Sequence, residues 1–353
     1  MTDSAVQPIA CVLGHPIAGN PTQFAVERAL AAADIDWRFL SLDVTAEDLP
    51  AAVAGMRAMG FRGGIVADPH RGAVAPLCDE TDEAATIAAY VDVLSRQDDG
   101  PLRGHFVSTE VLRAAISKTF ADEAAGESAG DKSPVERTIA VLGDADPWLA
   151  ALLPLMRQPH YRWRLFDTPP ELWQRSGADT ANSTPDGHQD DPAGRDLAGR
   201  DPAGRDPAGR DPAGRDPAGR DLAEVERKEM NAQDVASPTG GNAAHPRRVR
   251  RTARIEETID EAVDVVLRGM CDGEPCLISE TVIQRLRAPA LVIDLAEWTG
   301  SSPLTRAAGK QNLATLTRLD LMVDQTARAV QCWTDQAIDE AILREAYEEF
   351  LEI

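Results

Sequence analysis

The stretch GIVADPHR, at positions 64–71, ends in side chains that can recognise a charged ligand. A short apolar run leads into Asp68, His70 and Arg71. Arginine stays protonated at every physiological pH, so Arg71 can hold a carboxylate or stabilise an oxyanion but is a poor proton carrier. These residues alone leave two interpretations open: an active-site loop at the end of a strand, or an ordinary turn with a charged surface.

The stretch TIAVLGDADPW, at positions 138–148, has the place of a nucleotide-binding loop. Dinucleotide sites carry GxGxxG after a strand, because glycines let backbone N–H groups approach the pyrophosphate. Only Gly143 of that pattern is present, and Asp144 and Asp146 bring negative charge to where phosphates would lie. The loop therefore predicts weak dinucleotide binding or none.

Alternating strands and helices position both stretches. The first series of predicted strands is IACVLG, WRFLSLDV, GGIVA and YVDVLS, with amphipathic helices between them. The second series is RTIAVLG, YRWRLFD, VDVVLRG, ALVIDLAEW and LATLTR. Thr22 and Thr45 are the predicted N-caps of the first two helices. Strands that alternate with helices in this way predict parallel α/β sheets.

Hydrophobic periodicity stops from about residue 177 to residue 250. Within that range, residues 191–220 repeat the pentapeptide DPAGR, with DLAGR as one variant. Glycine in every repeat and proline in all but the DLAGR unit oppose both helix and strand, so we expect a disordered linker. The basic run HPRRVRRTAR that follows is interpreted as a solvated surface.

Composition bounds the function class. The chain has 353 residues and a formal net charge of −22, which suits two domains and argues against nucleic acid and anionic membrane surfaces as partners. No apolar run reaches the roughly 20 residues of a membrane span, and the N-terminus does not resemble a signal peptide. The five cysteines are scattered, so we expect reduced, buried thiols, no metal site and a cytoplasmic location.

Three segments together resemble the shikimate dehydrogenase family. They are VLGHPIAGNPTQF, EDLPAAVAGMRAMGFRGGIVADPHRGAVAPLCDE and LTRAAGKQNLATLTRLDLMVDQTARAVQCWTDQ. The resemblance covers residues 8–175 and 255–353, and it excludes the repeat. It implies an α/β fold in which a substrate-binding domain is followed by a Rossmann-type domain that binds NADP. It also implies the reversible, NADP-dependent reduction of 3-dehydroshikimate to shikimate, a step of aromatic amino acid biosynthesis.

The resemblance gives domain bounds. Residues 1–108 correspond to the substrate-binding domain, and residues 109–177 with 251–318 correspond to the Rossmann-type domain. The linker with the repeats occupies 178–250, and helices in 319–353 pack back on the first domain.

The positions that handle protons in the family are replaced. The family's lysine falls on Arg71 and its aspartate on Ser108, and neither replacement suits proton transfer. Glu110, two residues further on, is a weak substitute candidate. Gln325 is unchanged.

The positions that bind the substrate are also altered. The two serines of the first motif fall on Asn20 and Thr22, which can still hydrogen-bond a carboxylate. The polar triplet near the lysine becomes Ile65-Val66-Ala67, and the asparagine of the A-V-N-T motif becomes Val91, with Asp92 beside it. A hydroxyl left without its partner costs affinity steeply, so we expect shikimate to bind poorly.

The cofactor positions follow the same trend. Besides Gly143 and Asp144, the arginine that faces the 2′-phosphate of NADP falls on Asp167, which favours NAD if any dinucleotide binds. A glycine of the late motif becomes Arg318, and a tyrosine becomes Glu297.

Two functions compete. The first is a catalytically degenerate, shikimate-dehydrogenase-like protein that binds a small anionic ligand or a partner, such as a second copy in a homodimer. The alternative is an active NAD(P)-dependent oxidoreductase for 3-dehydroshikimate or a related small acid, with Arg71 as the anion clamp and Asp92 or Glu110 as the acid–base group.

Overall fold

Two β-sheets carry the fold, and each is built from a different part of the chain. The computed structural model describes residues 7–121, 135–144, 148–168, 180–181, 249–271, 274–297 and 302–353. The DPAGR repeat lies wholly outside these residues.

The first sheet has six strands in the order β2-β1-β3-β5-β6-β4. They are β1 (Ile9–Gly14), β2 (Arg38–Asp43), β3 (Gly63–Val66), β4 (Glu80–Thr81), β5 (Val93–Ser95) and β6 (Arg103–His105). The pairs β1–β2, β1–β3 and β4–β6 are parallel, whereas β5 runs antiparallel to both β3 and β6. The sheet is therefore mixed, and the expectation of a purely parallel sheet was wrong for this part of the chain.

The second sheet has seven strands in the order β15-β14-β11-β7-β8-β10-β9, and every neighbouring pair is parallel. They are β7 (Arg137–Leu142), β8 (Tyr161–Phe166), β9 (Thr180–Ala181), β10 (Val249–Arg251), β11 (Val265–Arg268), β14 (Leu291–Asp294) and β15 (Ala314–Thr317). A separate two-stranded hairpin joins β12 (Met270–Cys271) to β13 (Glu274–Pro275). The strand order reverses at β7, which is where ligands bind in doubly wound sheets.

Eleven α-helices and one short 3-10 helix (Ala75–Leu77) are described in these residue ranges. The six in the first part of the chain are α1 (Thr22–Ala32), α2 (Leu49–Ala58), α3 (Arg71–Val74), α4 (Glu83–Ala88), α5 (Val107–Thr119) and α6 (Trp148–Met156). The five that follow are α7 (Ile255–Thr258), α8 (Glu280–Ile283), α9 (Pro303–Gly309), α10 (Arg318–Thr334) and α11 (Glu340–Leu351). In the described part of the chain, no helix is both long enough and apolar enough to cross a membrane.

The predicted caps of the first two helices were wrong. Helix α1 begins at Thr22 itself, after Pro21, and the Thr22 side chain is buried beside the hydroxyl of Tyr347 in α11. Helix α2 begins after Asp48, whose backbone N–H donates to the Thr45 hydroxyl. The cap predictions failed because a helix start within a few residues depends on tertiary packing as well as on residue type.

A continuous apolar core joins the two sheets through helices α5 and α6. Helix α6 has the sequence WLAALLPLM, all nine of its residues are buried, and it packs against α4 and α5. The buried Thr109 hydroxyl of α5 donates to the carbonyl of Ala151 in α6 over 3.0 Å. All described residues belong to one compact unit, so the helix after β7 is packed as a core element.

Helices α1, α10 and α11 cover the other face of the first sheet. Their core includes Phe39, Val323 and Tyr347, all buried. Helix α10 begins with a capping box between Thr317 and Asp320, which fixes its first turn at the end of β15. One long helix therefore connects the edge of the second sheet to the face of the first.

A buried ion pair closes the carboxyl edge of the second sheet. Arg268 ends β11 and Asp294 ends β14, and the guanidinium binds the carboxylate in a bidentate manner at 2.9 and 2.6 Å. The Ser302 hydroxyl donates to the same carboxylate over 2.6 Å, and Asp294 is fully buried. The backbone N–H of Ala296 also donates to it over 3.2 Å, so the carboxylate is satisfied by four donors in the interior.

Replacing one partner of this pair is expected to be costly. Asp294→Ala leaves the Arg268 charge buried and unpaired, so the free energy of unfolding should fall by about 3–5 kcal/mol in denaturant titrations. The double variant Arg268→Met with Asp294→Leu should recover most of that loss. A single variant with wild-type stability would contradict the assignment.

Candidate functional site

Asp92 lies at the centre of the candidate site, just before β5. It is fully buried and accepts four hydrogen bonds. Two come from the first turn of α5, from the backbone N–H groups of Val107 (2.7 Å) and Ser108 (2.9 Å). The other two come from the Ser108 hydroxyl (2.5 Å) and the Gln325 amide of α10 (2.9 Å). One carboxylate therefore ties the sheet to two helices.

Three of the predicted site residues thus meet. The Gln325 amide also donates to the Ser108 hydroxyl over 3.1 Å, so Asp92, Ser108 and Gln325 form a closed triangle. We call these three residues with Arg71 the Asp92 cluster. The sequence had offered Asp92 as a substrate-binding residue or an acid–base group beside Val91, and in the structure its carboxylate is buried and accepts hydrogen bonds from protein groups.

Arg71 opens helix α3 and brings a positive charge to the cluster. Its Nε donates to the carbonyl of Val66 over 3.0 Å and lies 3.8 Å from the Asp68 carboxylate. The Arg71 side chain is only 13% exposed. His70, the residue before it, is buried, and its Nε2–H donates to the Val44 carbonyl over 2.6 Å, so it supports the loop from below.

Electrostatics connects Arg71 to both a carboxyl and a second arginine. Burial raises the pKa of Asp92, while the Arg71 charge and the hydrogen bonds from Ser108 and Val107 act to lower it. Burial and the Arg71 charge together lower the pKa of Arg318, against the attraction of Asp68. The α3 and α10 helix starts therefore bring two guanidinium groups close to one another, an arrangement that suits an anion with a carboxylate or phosphate group.

The other predicted substrate residues have different partners. The side-chain oxygen Oδ1 of Asn20 accepts from the backbone N–H of Thr22 over 2.9 Å, at the start of α1. Thr22 faces Tyr347, as described above. Glu110 forms an ion pair with Arg113 on α5. Glu297 lies 3.9 Å from Arg268, beside the buried ion pair.

The nucleotide loop after β7 is covered by the hairpin β12–β13. The N–H of Asp144 donates to the Met270 carbonyl over 2.7 Å, and the N–H of Gly143 donates to Phe166 over 2.8 Å. A Cβ at Gly143 would overlap both the Met270 carbonyl and the Cys276 sulfur. Both backbone donors are thus committed to protein carbonyls. Residues 145–147, and with them Asp146, lie outside the described residues.

A disulfide between Cys271 and Cys276 closes this hairpin, with 5.0 Å between their Cα atoms. The expectation that all five cysteines are reduced was wrong for this pair. The sequence carried a signal that was missed: the two cysteines flank Asp-Gly, a dipeptide typical of tight hairpin turns. Of the free thiols, Cys11 is buried, whereas Cys78 and Cys332 are half-buried.

Two acids stand at the ends of neighbouring strands at this edge. Asp144 follows β7 and Asp167 follows β8, and both residues are exposed. Asp167 has a positive φ of 50°, which turns the chain sharply after the strand. The place of a bound pyrophosphate therefore has negative side chains and no free N–H group at Gly143 or Asp144.

The fold defines a class of α/β protein in which a mixed sheet and a doubly wound, Rossmann-type sheet share one core. The Asp92 cluster lies where α3 and α5 begin and where α10 packs against α5. Comparisons with known proteins refine this class. Residues 12–94 match the family model described as the shikimate dehydrogenase substrate binding domain. This part of the chain, which contains most of the first sheet, is therefore similar to that substrate binding domain.

Curated relatives support the assignment over part of the chain. The shikimate dehydrogenase (NADP(+)) of Rubrobacter xylanophilus is 38% identical over 93 residues, which cover 26% of this chain and 33% of that protein. The enzyme of Geobacter metallireducens is 31% identical over 146 residues, 41% of this chain and 47% of that protein. The chain thus spans about a third to a half of the length of these relatives.

Solved structures match over the whole fold at low identity. The ligand-free 5-ketofructose reductase of Gluconobacter sp. strain CHM43 has a TM-score of 0.64 at 16% identity, covering 98% of this chain and 99% of that one. The Listeria monocytogenes shikimate 5-dehydrogenase, in complex with shikimate and NAD, has a TM-score of 0.63 at 16% identity, covering 98% of both chains. At this identity the likeness establishes the fold.

Substitution of Gly143 tests whether the hairpin β12–β13 packs tightly over the loop after β7. Its φ is +71°, and Gly143→Ala adds both left-handed strain and overlap with the hairpin, so the free energy of unfolding should fall by about 2–4 kcal/mol.

The matched control for this variant is Gly19→Ala. Gly19 has a similar φ of +80° but no atom near the added Cβ, so only the strain of about 1–2 kcal/mol should remain. Denaturant titrations of both variants measure the difference. Equal losses at the two positions would show that the hairpin does not press on Gly143.

Proposed function

We propose that this chain is a shikimate-dehydrogenase-like protein that binds a small anionic ligand and has lost hydride-transfer catalysis. The observation that carries the proposal is the Asp92 cluster. Arg71, Ser108 and Gln325 correspond to site positions of the family and Asp92 lies beside another, yet each side chain that would move a proton there is replaced or committed to structure.

The side chains of the Asp92 cluster are poorly suited to proton transfer, the first requirement of the family's reaction. Arg71 remains protonated and cannot act as an acid–base group near neutral pH. Ser108 has a hydroxyl where the family has a carboxylate, and that hydroxyl is hydrogen-bonded to Asp92. Asp92 itself holds the first turn of α5 through two backbone N–H groups, so it has a structural task.

Cofactor binding is the second requirement of the family's reaction that the residues do not support. The family's reaction needs NADP, and the residues at the Rossmann-type loop do not fit it. The N–H groups of Gly143 and Asp144 already donate to protein carbonyls, and the side chains of Asp144 and Asp167 would repel phosphates. This disagreement supports a protein that binds neither NADP nor NAD strongly.

Anion binding is the property of the family's site that these residues still support. Burial and the charge of Arg71 lower the pKa of Arg318, and an anion beside the two guanidinium groups would relieve the repulsion between them. Ile65, Ala67 and Val91 are apolar where a triol acid needs hydrogen-bond partners. The ligand class is therefore a small carboxylic or phosphoric acid with fewer hydroxyls than the shikimate bound by the Thermus thermophilus enzyme.

A second candidate is an active oxidoreductase for another small acid. It is favoured by the environment of Asp92, because burial raises the pKa of a carboxyl that lies within the field of Arg71. Structural neighbours also include a 5-ketofructose reductase and a quinate dehydrogenase, so this fold serves different substrates in other proteins.

Ligand titration tests the proposal. In calorimetric and thermal-shift titrations, a panel of small mono- and dicarboxylates and phosphate esters should contain at least one binder. Arg71→Met should weaken that binder about tenfold or more, because a charge-assisted hydrogen bond contributes about 1.5–3 kcal/mol. NADP and NAD at millimolar concentration should give no heat and no shift.

The control for this titration is Arg113→Met, which removes an arginine that pairs with Glu110 away from the Asp92 cluster. It should leave ligand binding unchanged. Tight binding of either dinucleotide, together with shikimate- or acid-dependent reduction of that dinucleotide, would contradict the proposal and support the active oxidoreductase.

A further inference from the structure

A second polar cluster lies on the first sheet beside the Asp92 cluster, since the backbone N–H of Asp92 donates to the His105 carbonyl over 3.0 Å. Asp82 precedes α4, Ser95 ends β5, His105 ends β6 and Cys332 lies in the last turn of α10. Four elements thus bring a carboxylate, a hydroxyl, an imidazole and a thiol together. We call these four residues the His105 cluster.

His105 is held from both sides of its ring. Its Nε2 lies 2.8 Å from the Ser95 hydroxyl, and its Nδ1 lies 3.4 Å from the Asp82 carboxylate. Asp82 is fixed in turn, since it accepts from the backbone N–H groups of Ala85 (2.7 Å) and Phe106 (3.2 Å). The imidazole therefore has a defined orientation, with the carboxylate behind it.

Cys332 completes the cluster. Its thiol hydrogen-bonds to His105 and to Ser95. The next residue, Trp333, anchors this end of α10 because its indole N–H donates to the Leu94 carbonyl of β5 over 2.8 Å. The thiol is half-buried, so it is held in place and still reachable from solvent.

The charges around the cluster favour an imidazolium beside a thiolate. The Asp82 hydrogen bond, followed by the hydrogen bond to Cys332, raises the pKa of His105 to about 9. Burial acts against ionisation of Cys332, yet the hydrogen bond and charge of His105 and the hydrogen bond from Ser95 lower its pKa. The opposing acid is Asp335 after α10, while Arg103 and Glu80 on β6 and β4 pair with each other.

The other free thiols lack such an environment. Burial raises the pKa of Cys11 to about 12 and that of Cys78 to about 11. Thiolate is the reactive form of cysteine, so these two thiols are inert by comparison. The described part of the chain therefore offers Cys332 a reactivity that its other two free thiols do not share.

The cluster also has the order of a Ser-His-Asp triad, but it does not suit that chemistry. A serine nucleophile needs a neutral imidazole as its base. His105 is protonated near neutral pH, since its pKa is raised, and Ser95 is only 8% exposed. Ser95 instead supports the thiol.

We propose that Cys332 is a modification site that takes up one half of a low-molecular-weight disulfide, with His105 and Ser95 as positioning residues. The Cys332 thiolate attacks one sulfur of the disulfide and forms the new S–S bond. The old S–S bond breaks, and the second half leaves as a thiolate that is protonated by water. The disulfide is reduced and Cys332 is oxidised, so the electrons balance, and His105 keeps its proton throughout.

Modification of Cys332 can affect the Asp92 cluster through helix α10. Cys332 and Gln325 lie on the same helix, about two turns apart. A bulky mixed disulfide at the end of α10 therefore acts on the helix that also provides Gln325 to the Asp92 cluster.

The test is a rate measurement on the full-length protein. Bis(2-hydroxyethyl) disulfide is a suitable probe, because it is small and neutral and the nearby acids do not bias its approach. Peptide mass spectrometry follows each cysteine separately. At pH 7, Cys332 should be modified at least about tenfold faster than Cys78, with the rate persisting below pH 7.

His105→Gln is the decisive variant. It should slow modification of Cys332 about tenfold and move the midpoint of its pH–rate profile upward, a readout that a purely structural role does not shift. The matched control, His160→Gln, changes a histidine that contacts Tyr161 instead and should leave the rate unchanged. Asp82→Asn should have a smaller effect of the same sign.

Two results would overturn the proposal. One is a Cys332 rate no faster than that of Cys78. The other is a His105→Gln profile identical to that of His160→Gln, provided that both variants keep the wild-type circular dichroism. If His105→Gln does not fold, the pH–rate profile of Cys332 in the wild-type protein decides, since an ordinary thiol would react with a midpoint near 8.5.

Discussion

The polar architecture of the first sheet depends on one buried carboxylate. Asp92 enters the interior just before β5 and is stabilised there by two N–H groups of α5, the Ser108 hydroxyl and the Gln325 amide. A buried carboxylate without such donors would cost several kcal/mol, so each donor constrains where its own element can lie. The register of β5, the start of α5 and the rotation of α10 are therefore mutually dependent.

The same constraint gives Ser108 a structural role. Its hydroxyl is turned toward Asp92 and donates to the carboxylate over 2.5 Å. This position therefore supports a neighbouring buried carboxylate. A polar network that is fully satisfied can persist for its contribution to structure, independent of any reaction.

In the second sheet, too, polar groups at the carboxyl edge take part in internal packing. Its carboxyl edge contains the Arg268–Asp294 ion pair, and its loop after β7 pairs with the disulfide-closed hairpin. Helix α6, which follows that loop, is apolar on every side and packs in the core that joins the sheets. In a doubly wound sheet this edge usually receives a ligand. Here protein groups use the backbone donors at Gly143 and Asp144.

Much of the fold followed from the sequence. Apolar strands such as IACVLG and RTIAVLG, and the amphipathic pattern of α10 and α11, predicted their elements because burial on one face imposes a local periodicity. The direction of β5, the strand β6 and the disulfide hairpin did not follow, since each depends on a partner distant in sequence or on a very short strand with little periodicity.

The residues of the site divide in the same way. Arg71, Ser108, Asp92 and Gln325 were identified from local motifs, because residue type and spacing along the chain are local properties. That Asp92 is the common acceptor, that Arg318 approaches Arg71, and that His105 meets Asp82, Ser95 and Cys332 were decided only by tertiary structure. The physical reason is that hydrogen bonds and charge interactions act over a few ångströms in space. Residues distant in sequence, such as Asp92 and Gln325, come that close only when the sheet and helix α10 pack together.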